Sequence, residues 1–157
     1  ARRVARARHE RGIDFQQHVD DPTPRVLHEH EARHAVLIDG KLIDITGEIR
    51  RFVSSAGVSD GVCFVYTPHT TAGVTINENA DPTVRKDIIK GLGTLNLERV
   101  PFAHLEGNSP AHIKSSLVGC SLFVLVENGT PVLGTWQGIY FCEFDGPRTR
   151  TVILRIA

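Results

Sequence analysis

Short apolar segments joined by tight-turn residues limit how this chain can fold more than any other feature of its sequence. Asp39-Gly40 and Asn128-Gly129 each separate two apolar runs, and Asp145-Gly146-Pro147 precedes the last run. An Asp-Gly or Asn-Gly pair favours a type I′ hairpin, because both central residues of that turn need positive φ. Strands joined in this way pair antiparallel, so we expect a sheet built largely from hairpins.

The apolar runs themselves predict strands, because they are rich in β-branched and aromatic residues. The run from Val62 to Tyr66 is expected to be buried. Cys63, Cys120 and Cys142 lie in strand-like runs and form no CxxC pair, so we expect small buried side chains in a reducing compartment. The predicted strands cover residues 35–38, 41–43, 62–66, 74–76, 121–126, 132–133, 139–142 and 151–154.

Three segments between the strands predict helices. Thr46 is expected to cap the first helix and Gly57 to end it in the left-handed conformation. The second begins at Asp81-Pro82 and the third at Ser109-Pro110, with Gly119 ending the third. The expected apolar face comprises Ile49, Phe52, Val53 and Ala56 in the first helix, and Val84, Ile88, Ile89 and Leu92 in the second. This pattern predicts an α+β fold, a mainly antiparallel sheet or sandwich carrying about three helices.

Length and composition predict one folded domain behind an N-terminal extension. The chain has 157 residues, which suits a single domain. Residues 1–33 are rich in arginine and histidine, so we interpret them as an extension or tail, or as the remnant of an organelle-targeting segment, and residues 34–157 as the domain. No segment has the roughly 18 apolar residues of a membrane helix or the apolar stretch of a signal peptide. We therefore expect a cytoplasmic protein without membrane contact.

The balance of charge argues against one class of partner. The chain has 18 Lys plus Arg and 18 Asp plus Glu, so its formal net charge is zero. Nucleic-acid-binding proteins normally carry a basic excess. We therefore expect no nucleic-acid partner.

Three histidines of the predicted domain lie at polar ends or loops. His69 follows a strand, His104 lies in a long polar loop, and His112 lies in the first turn of the third helix. Three imidazoles with an open position would suit zinc or a related ion. The spacing matches no standard metal motif. On the residues alone we favour three separate surface or capping histidines.

Charged residues form two further candidate groups. The carboxylates within residues 77–81 could hold magnesium, although Asp81 also suits a helix cap. Arg148 and Arg150 could bind phosphate, or could be outward charges on a solvated edge strand. Lys114 lies near a helix N-terminus, where it could help bind an anion or be merely exposed.

Trp136 is the only tryptophan and lies with Gln137 between Gly134 and Gly138. A glycine at such a junction permits a tight bend or a close approach of the backbone. Trp136 could stack on a flat polar ring while Gln137 hydrogen-bonds it. An equally good interpretation is a tryptophan that closes one end of a sheet, in the core or at an interface.

Several longer motifs resemble the YjbQ-like family, an uncharacterised protein family associated with secondary thiamine-phosphate synthase activity. The similarity runs in order through about residues 34–157 and leaves residues 1–33 outside. The motifs are Thr67-Pro68-His69-Thr70-Thr71-Ala72-Gly73, Thr75 to Pro82, His104 to Leu117, Ser121 to Ile139 with Gly134-Thr135-Trp136-Gln137, and Glu143-Phe144-Asp145-Gly146-Pro147-Arg148.

The resemblance implies a YjbQ-like α+β fold, a homotrimer, and a site near the subunit boundary where the three histidines converge. It implies a transferase that joins hydroxymethylpyrimidine diphosphate to thiazole phosphate and releases pyrophosphate. The catalytic residues expected from the motifs are His69, Glu78, His104 and His112. The residues expected to bind a small phosphorylated metabolite are Thr70, Thr71, Asn108, Lys114, Trp136, Gln137 and Arg148.

Two other functions fit the same residues. Departure of pyrophosphate needs neutralisation by magnesium or by Arg and Lys, whereas a zinc ion on His69, His104 and His112 would suit a hydrolase of an unknown small substrate. A non-catalytic trimer that binds a metabolite is the third alternative. The expected cofactor is accordingly a divalent metal, either zinc at the histidines or magnesium with the diphosphate.

Overall fold

The structure is a computed structural model that describes residues 31–38 and 42–157. Those residues form eight strands, three α-helices and one short 3-10 turn at Leu97–Arg99, which confirms the α+β prediction. The strands are β1 (Glu31–Ile38), β2 (Leu42–Asp44), β3 (Gly61–Tyr66), β4 (Ala72–Glu78), β5 (Ser121–Glu127), β6 (Thr130–Pro131), β7 (Gln137–Glu143) and β8 (Arg148–Ile156). The helices are α1 (Thr46–Ala56), α2 (Pro82–Gly93) and α3 (Ser109–Val118).

The strands form two sheets in which every neighbouring pair is antiparallel. The larger sheet has the order β1-β8-β3-β5-β6 and the smaller has the order β2-β7-β4. Inward side chains from both sheets and from α1 form the main hydrophobic core. Within the described part of the chain, no helix is long and apolar enough to cross a membrane.

The turn predictions had two outcomes. Asn128 and Gly129 have φ of 51° and 71° and join β5 to β6, as predicted. The second strand of that hairpin ends at Pro131 rather than continuing through residues 132–133, although the Val132 amide still donates to the Leu125 carbonyl oxygen at 2.7 Å. Residues 39–41 lie outside the described residues. The strands on either side do not pair with each other, because β1 pairs with β8 and β2 pairs with β7.

Helix α1 is held on the smaller sheet by its first residue. Ile49, Phe52 and Val53 are buried and Gly57 has φ of 68°, as predicted. The prediction that Thr46 caps the helix is wrong. Asp44 accepts a hydrogen bond from the Thr46 amide at 2.9 Å, and the Thr46 hydroxyl accepts one from the Ile139 amide at 2.8 Å. The threonine therefore joins helix to sheet instead of closing the helix end.

Helix α2 begins as predicted but packs differently. The Asp81 carboxylate accepts a hydrogen bond from the Thr83 amide at 2.8 Å, which confirms the cap. No residue of the helix is buried, although an apolar face was expected. Ile88 packs against the small core cluster of Leu42, Tyr140 and Cys142, and the Arg85 guanidinium lies 5.8 Å from the centre of the Tyr140 ring. Helix α3 follows its prediction more closely, since it begins at Ser109 and is capped at its end by Gly119.

Strand β3 is buried on one face only, so the expectation of a fully buried strand is wrong. Cys63 and Val65 point into the core, while Phe64 remains 46% exposed. Its ladder partner Phe123 on β5 is 63% exposed. On this outer face of the larger sheet, apolar side chains are therefore exposed among the described residues.

The cysteines also divide into two kinds. Cys63 and Cys142 are buried as predicted, and burial raises their thiol pKa to about 11 and about 12. Cys120 is exposed and lies in the bend before β5, not in a strand, because the chain leaves α3 there at the surface. The prediction of three buried cysteines is therefore wrong for Cys120.

Candidate functional site

The three predicted histidines line a single cleft of about 350 Å³. His69 comes from the loop between β3 and β4, His104 from the loop before α3, and His112 from the first turns of α3. Arg148 and Arg150 reach the same cleft from the start of β8. Side chains that are distant in sequence thus converge on one hollow, contrary to the interpretation as three separate surface histidines.

His69 is held by a hydrogen bond to β8, just beyond the end of β3. Pairing between β3 and β8 ends where Tyr66 lies opposite Ile153, and the same register would set Pro68 opposite Thr151. Proline has no amide to continue the ladder. Instead, the Thr67 hydroxyl donates to the Thr151 carbonyl oxygen at 3.3 Å, and the Thr151 amide donates to Nε2 of His69 at 2.8 Å.

The charge state of His69 follows from the same position. Burial lowers the pKa of its imidazole, and the nearby Arg150 guanidinium lowers it further. The Glu143 carboxylate opposes both effects without overcoming them. His69 is therefore held in its neutral form more strongly than a histidine in water.

His104 and His112 lie against each other at the outer side of the cleft. Their ring centroids are 5.4 Å apart and their planes meet at 85°, an edge-to-face arrangement. Glu106 Oε2 is 3.9 Å from Nε2 of His104. The His104 side chain is 45% exposed beside this carboxylate, which suits proton transfer to a bound molecule.

Arg150, which lines the cleft, forms a buried ion pair with Glu143. The side chains of Arg150 and Glu143 are only 6% and 0% exposed. Arg150 donates through Nε to Glu143 Oε2 and through its second nitrogen to Glu143 Oε1 at 2.6 Å and to the Thr71 hydroxyl at 2.8 Å. The hydrogen bonds to Glu143 raise the pKa of the Arg150 guanidinium. The interpretation of β8 as a solvated edge strand is wrong, because β8 lies between β1 and β3.

Arg148 is paired as well, but at the surface. Its guanidinium contacts Asp145 Oδ2 at 2.9 Å and donates through Nε to the Asp145 carbonyl oxygen at 2.8 Å. Counting Arg148 and Arg150 against Glu106, Glu143 and Asp145 leaves one net negative charge around the cleft when its histidines are neutral. An anionic ligand therefore needs a protonated histidine or a cation brought with it.

Asn108 contributes an unusual acceptor at the start of α3. Its Nδ2 donates to Asp145 Oδ2 at 3.0 Å and to Glu106 Oε2 at 3.4 Å. Carboxylates only accept, so the orientation of the amide is fixed. Its Oδ1 is buried and is the one such side-chain atom without a hydrogen-bond partner in the described part of the protein.

Three other predicted site residues lie at the opposite end of the smaller sheet. In the β4–β7 ladder, Ala72 faces Glu143 at the cleft end, and Glu78 faces Gln137 at the other. Six residues of strand separate the two ends, about 20 Å. Trp136 precedes Gln137 and is 66% exposed. Glu78, Trp136 and Gln137 therefore do not meet the histidines within one chain.

Glu78 and Gln137 are paired locally at that end, whereas Asn79 donates to Asp44 Oδ2 at 2.8 Å and accepts from the Tyr140 hydroxyl at 2.5 Å. Glu78 Oε1 accepts hydrogen bonds from the amides of Ala80 at 2.8 Å and Asp81 at 3.4 Å, and Gln137 Oε1 accepts one from the Gly134 amide at 2.8 Å. These contacts shape turns. They favour the interpretation of residues 77–81 as a helix cap over a magnesium site.

Lys114 lies on a different side of α3 from His112. Its Nζ is 2.6 Å from Glu98 Oε1. It lines a separate hollow of about 210 Å³ with Ile89, Phe144 and other apolar residues, and does not line the histidine cleft. Thr70 and Thr71, in contrast, do line the cleft, Thr71 as a buried partner of Arg150.

The residues fit a preformed three-histidine metal centre poorly. Among residues 31–38 and 42–157, no three His, Cys, Asp or Glu side chains are close enough together to hold an ion. Nε2 of His69 also already accepts the Thr151 amide. His104, His112 and Glu106 lie beside one another, with the two rings 5.4 Å apart and Glu106 Oε2 3.9 Å from Nε2 of His104.

Sequence reasoning missed Glu143 as a site residue, although a signal for it was present. Glu143 follows the apolar run Ile139 to Cys142, where an unpaired carboxylate would be costly. Arg150 shares the inward face of β8 with Val152 and Leu154, by the alternation of a strand. A buried acid in one strand and a buried base in the next predict an ion pair.

Known proteins resemble the chain over most of its length. The family described as UPF0047 protein YjbQ-like matches residues 37–157. A UPF0047 protein of Methanocaldococcus jannaschii is 57% identical over 116 residues, 74% of this chain and 84% of that protein. The UPF0047 protein YugU of Bacillus subtilis is 54% identical over 117 residues, 74% of this chain and 89% of that protein. A crystal structure of an uncharacterised YjbQ/UPF0047 family protein from Clostridium acetobutylicum is 49% identical, with a TM-score of 0.78 over 80% of this chain and 99% of that one.

Proposed function

Because the chain belongs to the UPF0047 YjbQ-like family, we propose that it is a cytoplasmic enzyme that acts on a small phosphorylated metabolite in the histidine cleft. The reaction we propose is the one that the resemblance implies, the transfer of hydroxymethylpyrimidine from its diphosphate to thiazole phosphate. The observation that carries the proposal is the convergence of three histidines and two arginines, from separate segments, on one cleft.

The chemistry of this transfer can be assigned to the residues at hand. The new carbon–nitrogen bond forms at the thiazole nitrogen, and the carbon–oxygen bond to the diphosphate breaks, so pyrophosphate leaves with its electron pair. Arg148 and Arg150 face the growing negative charge, and His104 or His112 supplies a proton to the leaving oxygen. Both arginines are already paired with carboxylates, so magnesium bound to the diphosphate would supply the remaining neutralisation.

We further propose that the enzyme is a homotrimer. The exposed apolar side chains Phe64 and Phe123, on the outer face of the larger sheet, support an interface there. A neighbouring subunit could then bring Glu78, Trp136 and Gln137 to a cleft that they do not reach within their own chain. Sedimentation of the full chain at several concentrations tests this arrangement, and a monomer throughout would contradict it.

A second candidate function is metal-dependent hydrolysis of a small substrate. The observation in its favour is the pair of imidazoles on His104 and His112, 5.4 Å apart, with Glu106 beside them. Zinc bound there would supply an activated water. Elemental analysis of the purified full chain beside His112→Ala tests it, since about one ion per chain, lost in the variant, is the expected result.

The transfer itself is tested by mixing the purified chain with both phosphorylated substrates and magnesium and measuring thiamine phosphate. His104→Ala and His112→Ala are expected to lower the rate by about 10²-fold or more. Glu127→Gln, at the exposed end of β5, is the matched control and should leave the rate unchanged. Binding of either substrate without turnover would instead support a non-catalytic metabolite-binding protein.

A further inference from the structure

The ring of His69 takes the place of a backbone group in the larger sheet. Thr151 offers one carbonyl oxygen and one amide where β3 has already turned away. The side chains of Thr67 and His69 satisfy these two groups, at 3.3 Å and 2.8 Å. The Nε2 edge of the His69 ring is therefore held by the sheet and not by a ligand.

The direction of this hydrogen bond decides where the imidazole proton lies. A backbone amide can only donate, so Nε2 of His69 must accept and cannot carry a hydrogen. A neutral imidazole bears its single hydrogen on the other nitrogen. We infer that His69 is locked in the Nδ1–H tautomer and serves the cleft as a hydrogen-bond donor to the ligand, not as a general base and not as a metal ligand through Nε2.

Two alternatives to this assignment conflict with the contacts. Turning the ring over would put a carbon against the Thr151 amide and leave that donor without an acceptor. Protonating both nitrogens would set two donors against each other beside the Arg150 guanidinium. Burial and Arg150 also lower the pKa of His69, which favours the neutral ring.

The other nitrogen of the ring is open to solvent. His69 is half-buried, and its Nδ1 has no hydrogen-bond partner among the described residues. Asn108 Oδ1 is the one buried side-chain atom of the described residues that lacks a partner, so Nδ1 of His69 must itself reach solvent. Since the ring lines the cleft, the group that Nδ1–H meets there is an acceptor such as a phosphate or carbonyl oxygen.

This assignment rests on the proposed function only in taking the cleft as the ligand site. It divides the three histidines into two roles. His69 donates a fixed hydrogen bond, while proton transfer, or a metal, falls to His104 and His112. A three-histidine zinc site would have to break the Thr151 contact or use Nδ1 of His69.

The tautomer can be measured directly on the full chain labelled with nitrogen-15. Long-range proton–nitrogen correlation of the imidazoles at neutral pH should show His69 with a protonated Nδ1 and a bare Nε2, without averaging. A protonated Nε2, or an averaged pair of shifts, would overturn the inference. Addition of inorganic phosphate should shift the His69 Nδ1 signal, and a signal that stays in place at saturating phosphate would overturn the donor role.

Two substitutions provide a matched control. The oxygen of His69→Gln can reach the position of Nε2, whereas the shorter His69→Asn reaches only that of Nδ1. We expect the Thr151 amide to remain protected from hydrogen exchange in His69→Gln and to lose protection in His69→Asn, with equal losses counting against the inference. If the tautomer is found but no thiamine phosphate is made, the inference stands and the proposed transfer fails, so the two results are separable.

Discussion

The two ends of the smaller sheet carry similar residue types and use them differently. At one end, the side-chain oxygens of Glu78 and Gln137 accept from amides two or three residues away, while Asn79 joins this end to Asp44 and Tyr140. At the end near Glu143, Arg150 bonds Thr71 across 79 residues of sequence, and Thr151 bonds His69 across 82. Polar groups that close their own turn stabilise that turn, whereas polar groups assembled from distant segments around an open hollow form a site.

The largest expected difference between the ends comes from removing one carboxylate at each. Glu143→Ala leaves the Arg150 charge buried without its partner, which should cost about 3–5 kcal/mol in the free energy of unfolding. Glu78→Ala loses only local hydrogen bonds, worth about 1 kcal/mol. Urea unfolding at a fixed protein concentration measures both. Similar losses of unfolding free energy in Glu143→Ala and Glu78→Ala would contradict the distinction between the two ends.

A smaller effect is expected from adding one methyl group at each end. A Cβ on Gly73 would lie 2.8 Å from the Gly119 carbonyl oxygen and 2.9 Å from Cγ1 of Val118. A Cβ on Gly138 would lie 2.8 Å from Cβ of Asn79. Gly73→Ala and Gly138→Ala should each destabilise the fold by about 1–3 kcal/mol. Gly91→Ala is the control, because no neighbour lies within 4 Å of the added Cβ. This variant should not lower the melting temperature.

The threonine pair in the cleft gives a finer test of the buried network. Thr71→Val removes the hydroxyl that accepts from Arg150 and should cost about 1 kcal/mol. Thr70→Val changes an exposed neighbour and should leave the melting temperature nearly unchanged. A larger loss in Thr70→Val than in Thr71→Val would show that the network contributes little.

The smallest expected effect is a difference in the pH range over which each end loses stability. The pKa of His69 is lowered from 6.5, so the unfolded chain takes up that proton first and stability falls as pH drops below about 6.5. Near the other end, burial pulls the pKa of Asp44 up, but hydrogen bonds from Thr46 and Asn79 hold it below 3.8. Its contribution is present above pH 3.8 and is lost only as pH falls through the lowered value.

Melting curves between pH 8 and pH 3 separate the two groups. His69→Gln should flatten the curve just below pH 6.5, and Asp44→Asn should flatten it only in the acid limit. Flattening in the same window for both variants would contradict the assignment.

Local chemistry was enough to predict part of the fold. The hairpin at Asn128-Gly129, the cap at Asp81 and the left-handed end at Gly57 each depend on the φ or hydrogen-bonding capacity of the residue itself. The same reasoning failed for Asp39-Gly40, because the partners of the flanking strands are chosen by the two sheets and not by the turn.

The sequence predicted the membership of the candidate site only in part. The three histidines and Arg148 lie there as expected, whereas Glu143 was missed and four expected residues lie elsewhere, namely Glu78, Lys114, Trp136 and Gln137. Periodicity indicated polar histidines at element ends but could not show that His69 bonds to β8, because that contact depends on the register of β3 against β8. Lys114 was expected at the site because it lies near the N-terminus of the helix that carries His112. A helix turns about 200° between those two positions. The Lys114 ammonium therefore lies on another side of α3, beside Glu98.

The exposed thiol of Cys120 offers a way to detect binding of a molecule in the cleft. This thiol lines a hollow of about 450 Å³ that shares His69 and His112 with the cleft, while the other two thiols are buried. A maleimide fluorophore would accordingly label a single position on the native protein. Such a dye would lie beside both imidazoles, so its emission could report occupancy of the cleft by any molecule, before a substrate is known.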